Sequence, residues 1–209
     1  KADVVLCITA GAVDRPVAEA TVGWMIALGH RMINKDQLVR KGLWYQSSQY
    51  MGCELRDKTL GVVGLGGIGS SVIELLKGFG MKKTLVYDPF IDENKAKELN
   101  VNKVELNELM QQSDFITVHC PLNKDTRDLI SYRELSLMKS SSFIINTARG
   151  GIINEDALFE SLSKNHIAGA ALDCFDNEPI IEPHRFGKLE NVLLAPHSIA
   201  WTQELFRDM

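Results

Sequence analysis

Short runs of β-branched and aliphatic residues recur along the chain, and most are followed by a stretch whose apolar positions fall at helical spacing. Leu60–Val63 (LGVV) leads into a segment where Ile68, Val72, Leu75, Leu76 and Phe79 recur at helical intervals until Gly80 stops them. Thr84–Tyr87 precedes a polar helix candidate from Asp92 to Leu99, and Val101–Val104 leads to Asn107–Gln111. Phe115–His119 (FITVH) ends at Pro121. Ser131 and Glu134 have the spacing of a capping box, opening a helix that Leu135 and Met138 anchor. Phe143–Asn146 is followed by Asn154 as the cap of a helix to about Leu162, and Ile167–Leu172 and Val192–Ala195 complete the strand candidates. The strands are continuous apolar runs without polar alternation, so both faces of the sheet are expected to be covered. Strand followed by helix, repeated, predicts a parallel sheet with right-handed crossovers. The expected fold is doubly wound α/β.

Two segments fall outside that alternation. Asp14 is placed to cap a helix with Pro16 in its first turn, running to about Ile33. Its Val17, Ala18, Val22, Trp24, Met25, Ile26 and Leu28 make it apolar nearly all the way round, which requires burial on more than one side. In a chain this small the expected cover is a second subunit, hence a homodimer through helix 14–33. Residues Arg40–Gly52, with Trp44, Tyr45 and Tyr50, read as an irregular aromatic loop. The chain opens abruptly, Lys1-Ala2-Asp3 running into VVLCI with no initiator methionine, and is read as a fragment.

Composition narrows the classes. The 209 residues, 45% hydrophobic and 24% charged, belong to an ordinary globular protein. Lys and Arg (23) against Asp and Glu (27) leave a net charge of −4, which supplies no electrostatic footprint for nucleic acid or an anionic membrane. The apolar stretch from Pro16 to Gly29 is interrupted by Glu19 and falls short of the ~20 residues a membrane span needs. The cysteines, Cys7, Cys53, Cys120 and Cys174, show no C-x-x-C and no zinc-ligand spacing with histidine, so no metal is expected. They read as reduced thiols of a cytoplasmic protein.

Gly64-Leu65-Gly66-Gly67-Ile68-Gly69 is a G-x-G-x-x-G that leaves a strand candidate and opens a helix candidate, the context in which such a loop holds a pyrophosphate. Gly64 permits the tight turn, Gly66 lets the backbone approach phosphate, and Gly69 lets helix and strand pack closely. The helix start adds free N–H groups and a partial positive charge. Asp88 ends the next strand, where a carboxylate accepts hydrogen bonds from a ribose and repels a 2′-phosphate, favouring NAD over NADP. Methyltransferases share this pairing of glycine loop and acid, and the motif alone leaves them open.

Three further polar residues follow strand candidates: Arg149 after FIINTA, Glu178 beyond GAALD, and His197 after VLLAP. Reducing a 2-oxo acid needs a planar fork for the carboxylate, a proton donor for the forming alkoxide, and a group that keeps that donor protonated. Arginine, histidine and glutamate suit those tasks in turn.

VGLGGIG, YDP, DFITVHCPLNKDTRDLI, NTARGGIINEDAL, AGAALDCFDNEP and APHSIAW together resemble the D-isomer-specific 2-hydroxyacid dehydrogenases over nearly the whole chain. The phosphoglycerate dehydrogenases and glyoxylate/hydroxypyruvate reductases are the nearest branches. The resemblance implies a Rossmann-type NAD-binding domain over residues 13–209. Residues 1–12 are then the remnant of a substrate domain that is largely missing. It further implies Arg149 as the substrate-orienting arginine, His197 as the acid–base and Glu178 as its support. Gly67 and Ile68 match the pyrophosphate-contacting pair, and Asp88 the ribose acid. Cys120, Thr147 and Ala148 match backbone contacts to the cofactor, Asp173 a residue near the nicotinamide, and Thr9 a further cofactor contact. The family's NAD(H)-sensing corepressors keep the same motifs and stand as the alternative to an enzyme.

Overall fold

The computed structural model describes residues 11–209. Cys7, Thr9 and most of the 1–12 segment lie outside the described residues. In chain order the elements are helices α1 (Asp14–Gly29) and α2 (Met32–Arg40), a 3-10 stretch (Trp44–Tyr50), β1 (Thr59–Val63), α3 (Gly67–Leu76), β2 (Lys83–Tyr87) and α4 (Glu93–Glu98). Then follow β3 (Asn102–Lys103), α5 (Leu106–Gln112), β4 (Phe115–Val118), α6 (Tyr132–Ser136), β5 (Phe143–Asn146), α7 (Glu155–Ser163), β6 (Gly169–Leu172), β7 (Val192–Leu194) and α8 (Gln203–Asp208).

The seven strands form one sheet in the order β3-β2-β1-β4-β5-β6-β7, every pairing parallel. The chain starts in the middle, winds out to one edge, returns, and winds to the other, as a doubly wound sheet does. β1, β4, β5 and β6 are buried at every residue. Each face carries its own core. Phe115, Val62 and Ile145 pack under α1 and α3, while Ile116, Leu85 and Ile144 pack under α5, α6 and α7.

Local signals place most boundaries. Asp92 accepts a hydrogen bond from Lys95 N–H at 2.8 Å, and Asn154 one from Ala157 N–H at 2.9 Å, each capping the helix it precedes. Glu134 reaches back to the Ser131 N–H at 3.0 Å. Gly80, at φ +65°, stops the turn after α3.

The first helix departs from expectation in three ways. Asp14 does not cap it. Val13 holds that position in helical geometry with no side-chain cap, and Asp14 falls inside the first turn. The helix also ends at Gly29, not near Ile33. A Cβ on Gly29 would lie 3.1 Å from the Cys53 carbonyl and 3.2 Å from the Phe115 ring, so the chain turns there, with Arg31 at φ +54°, before α2 begins. Finally, the apolar face of α1 is covered by the chain itself, α3 lying along it and β5 and β6 beneath. Uncovered apolar surface lies further on, at Met32, Ile33, Val39, Trp44, Tyr45 and Met51. α2 and α8 were not anticipated. No helix among the described residues is long and apolar enough to cross a membrane.

Candidate functional site

Parallel order makes all strands end on one side, so the loops that follow them stand in a row there. Reading along the sheet, that row holds Asp88 after β2, the glycine turn after β1 and Cys120 after β4. It continues with Thr147–Arg149 after β5, Asp173 after β6 and His197 after β7.

The glycine turn is shaped by close contacts. Gly64 sits at φ +92°, and a Cβ there would lie 2.6 Å from the Cys120 amide nitrogen. A Cβ on Gly69 would run into the Gly64 carbonyl, so α3 packs tightly onto β1. Gly66, by contrast, faces open space, with nothing within 4 Å of where its Cβ would stand. Beyond it the first-turn N–H groups of α3 point outward with no side chain capping them. Asp88 Oδ2 accepts the Leu65 N–H at 2.8 Å and its Oδ1 accepts the Phe90 N–H at 2.9 Å. The carboxylate therefore braces the turn and keeps lone pairs for a ribose diol. An open cradle beside an N-terminal helix end, with an acid at the neighbouring strand tip, fits a dinucleotide. The exception is Gly67, where a Cβ would collide with the Asp14 carboxylate.

At the other end of the row a polar loop is built from buried groups. Asn146, closing β5, accepts the Ala148 N–H at 3.0 Å and donates to the Arg149 carbonyl at 2.9 Å. This folds Thr147-Ala148-Arg149 over the strand tip. The Thr147 hydroxyl meets that of Thr21, from α1, at 3.2 Å. Arg149 is exposed, and its Nη1 donates to Ala148 O at 2.7 Å, leaving the rest of the guanidinium free. Gly150 is wedged against the Phe175–Asp176 backbone, where any Cβ would collide. The arginine loop thus rests on the loop that carries Glu178.

Glu178 uses both oxygens. Oε1 accepts the Phe175 N–H at 2.7 Å, and Oε2 lies 2.6 Å from His197 Nδ1. An ionised carboxylate only accepts, so Nδ1 carries the hydrogen and Nε2 is left to exchange a proton. His197 itself stands at φ +55°, a costly backbone for a residue with a Cβ. The next two amides, Ser198 and Ile199, donate to Asp173 Oδ1 at 2.9 and 3.1 Å. Those bonds hold the strained turn. Burial pushes the Asp173 carboxyl up from its ordinary value, against the pull of both amides and of the nearby His197.

Burial also pushes the Cys120 thiol up to about 11 and drives Cys174 up. Among the described residues the cysteines are free, and at these values the two thiols stay protonated. One neighbour was not singled out from the sequence. His119, at the tip of β4, has both ring nitrogens shut from solvent with no hydrogen-bond partner, and burial pushes it down to about 3. Asn146 was not singled out as a site residue and Asp14 was read only as a helix cap, since nothing local in FIIN or in VDRP announces their contacts. Ile68 sits in the first turn of α3, where the motif placed it.

Comparison with known proteins identifies relatives of the whole fold. The family model described as D-isomer specific 2-hydroxyacid dehydrogenase, NAD binding domain, matches residues 22–198. The chain is 37% identical over 199 residues to a glyoxylate reductase of Korarchaeum cryptofilum, covering 94% of this chain and 60% of that one. It is 42% identical over 187 residues to a D-3-phosphoglycerate dehydrogenase of Synechocystis, covering 90% of this chain and 33% of that one. It therefore spans about 60% of the one relative's length and about a third of the other's. Among solved structures, D-lactate dehydrogenase of Aquifex aeolicus with NAD and lactic acid superposes with a TM-score of 0.86 at 32% identity, covering 96% of this chain and 64% of that one.

Proposed function

The chain belongs to the D-isomer-specific 2-hydroxyacid dehydrogenases, as their NAD-binding domain, and on that premise we propose that it transfers a hydride between nicotinamide and a small 2-oxo or D-2-hydroxy acid. The observation that carries this reading is the 2.6 Å contact between Glu178 and His197 Nδ1, at the same sheet edge as Arg149. The relatives named above are reductases and dehydrogenases, and nothing in the site favours the sensing alternative.

The bound cofactor supplies hydride at C4 of its nicotinamide. Gly64, Gly66, Gly67, Ile68 and Gly69 would surround its diphosphate, and Asp88 would accept from its ribose. Thr9, Cys120, Thr147, Ala148 and Asp173 would complete its contacts. Arg149 takes the substrate carboxylate through paired N–H donors and fixes the carbonyl carbon for attack. In the reducing direction His197 Nε2 would give a proton to the substrate's carbonyl oxygen, completing the 2-hydroxy acid. Glu178 holds the ring in the tautomer and orientation that step requires. The division into a hinge segment over 1–12 and a dinucleotide domain over 13–209 belongs to the same reading, with a second domain forming the opposite wall of the cleft.

Without that wall, water reaches the reacting atoms and the substrate loses contacts. The 209-residue chain is therefore expected to quench and shift NADH fluorescence on binding yet reduce glyoxylate and hydroxypyruvate slowly. Brisk turnover would refute the need for a second wall, and no NADH binding would refute the assignment itself.

The uncovered apolar surface at Met32, Ile33, Val39, Trp44 and Tyr45 continues from the end of α1, and Tyr45 is 95% exposed. Apolar surface of this extent marks an interface. A homodimer through this surface, and not through the buried face of α1, covers it, in a cytoplasmic protein whose thiols stay reduced. Sedimentation at micromolar concentration is expected to give twice the 23.3 kDa chain mass, and a monomer there would rule the dimer out.

A further inference from the structure

Asp14 occupies an unusual place for a carboxylate. It stands in the first turn of α1 but does not cap that helix, and the cation beside it, Arg15, is engaged with Glu19 at 2.5 Å. α1 lies along α3, and the Asp14 carboxylate comes to rest on the α-carbon of Gly67, the first residue of α3. A Cβ built on Gly67 would collide with Oδ2 and would lie 2.8 Å from Oδ1. Gly66, one residue earlier, opens onto empty space. A negative group thus stands at the rim of the helix end whose N–H groups and partial positive charge would receive a diphosphate.

We propose that Asp14 sets the affinity for the dinucleotide, its carboxylate and the cofactor's diphosphate competing for the N-terminal turn of α3. This rests on the cofactor reading given above. The partial charge at a helix end is about half an elementary unit, too small to satisfy a carboxylate and a diphosphate together. With the diphosphate in place, Asp14 either turns away from Gly67 or remains at short range beside a like charge. Both routes weaken binding and speed release. A side chain at Gly67 would displace the carboxylate, and at little cost, because the atoms it meets are the mobile end of the Asp14 side chain.

NADH titration of the chain and of Asp14→Asn tests the idea, because asparagine keeps the shape and removes the charge. Asp14→Asn is expected to bind NADH roughly three to ten times more tightly at 20 mM salt, and the gap is expected to shrink in 0.5 M KCl as screening grows. Adenosine, which carries no phosphate, is expected to compete equally against both proteins once NADH affinity is accounted for. Equal or weaker NADH binding by Asp14→Asn, at unchanged melting temperature, overturns the proposal. Failure of both proteins to bind NADH overturns it together with the cofactor reading.

Discussion

Replacing His197 with glutamine is expected to lower the rate of 2-oxo acid reduction by roughly 10²–10⁴, the range lost when a positioned acid–base group is removed. Glutamine is similar in reach and retains hydrogen-bonding groups, so the carbonyl oxygen keeps a neighbour, but an amide has no proton to give at neutral pH. The alkoxide must then draw its proton from water. NADH affinity is expected to stay within about twofold, because the turn that holds residue 197 is fixed by the Asp173 bonds to the two following amides and not by the imidazole. Single-turnover absorbance at 340 nm, with saturating NADH and millimolar glyoxylate, resolves the step even in a slow protein. An unchanged rate in the variant would remove His197 from the chemistry and leave the Glu178 contact as a structural pair.

Stability is expected to drop on mild acidification through a different histidine. His119 is buried with both ring nitrogens unpaired, and its folded-state value of about 3 lies far below the ordinary 6.5. Between those values the unfolded chain takes up a proton that the folded chain refuses. Stability is therefore intact above pH 6.5 and is lost progressively as the pH falls toward 3. Each pH unit in that window removes about 1.4 kcal/mol, so roughly 2 kcal/mol is gone at pH 5 from this group. His119→Leu has no such proton to bind. Urea unfolding at pH 7.5 and pH 5.0 is expected to show the native chain losing about 2 kcal/mol more than the leucine variant. Equal losses would mean that the ring is solvated or hydrogen-bonded in the folded protein.

Those two histidines show what a sequence displays and what it conceals. His197 was singled out because of its neighbours in the chain, a strand before it and a proline beside it, and because of the resemblance to a known family. His119 was passed over as the last residue of an apolar run, since the lack of a partner is a property of the packed interior. The strands were legible for a simple reason: residues buried on both faces are mostly apolar, as in LGVV and GAAL. Capping also acts over three residues, which made Ser131 and Asn154 readable. Asp14 looked like another cap and was not, because Val13 had already taken up helical geometry. The break after Gly29 depends on Cys53 and Phe115, more than twenty residues away in sequence. The polar bracing of Asn146, Asp173 and Gly150 likewise joins loops that only the parallel sheet brings side by side.

The wedge at Gly150 has a mechanical meaning. With the arginine loop seated against the Phe175–Asp176 backbone, and that backbone bonded to Glu178, Arg149 and His197, the proposed substrate anchor and proton donor, share one ledge. A hinge that opened or shut the cleft would carry them together. Their spacing would survive each stroke, and only the opposing wall would need to find its register anew.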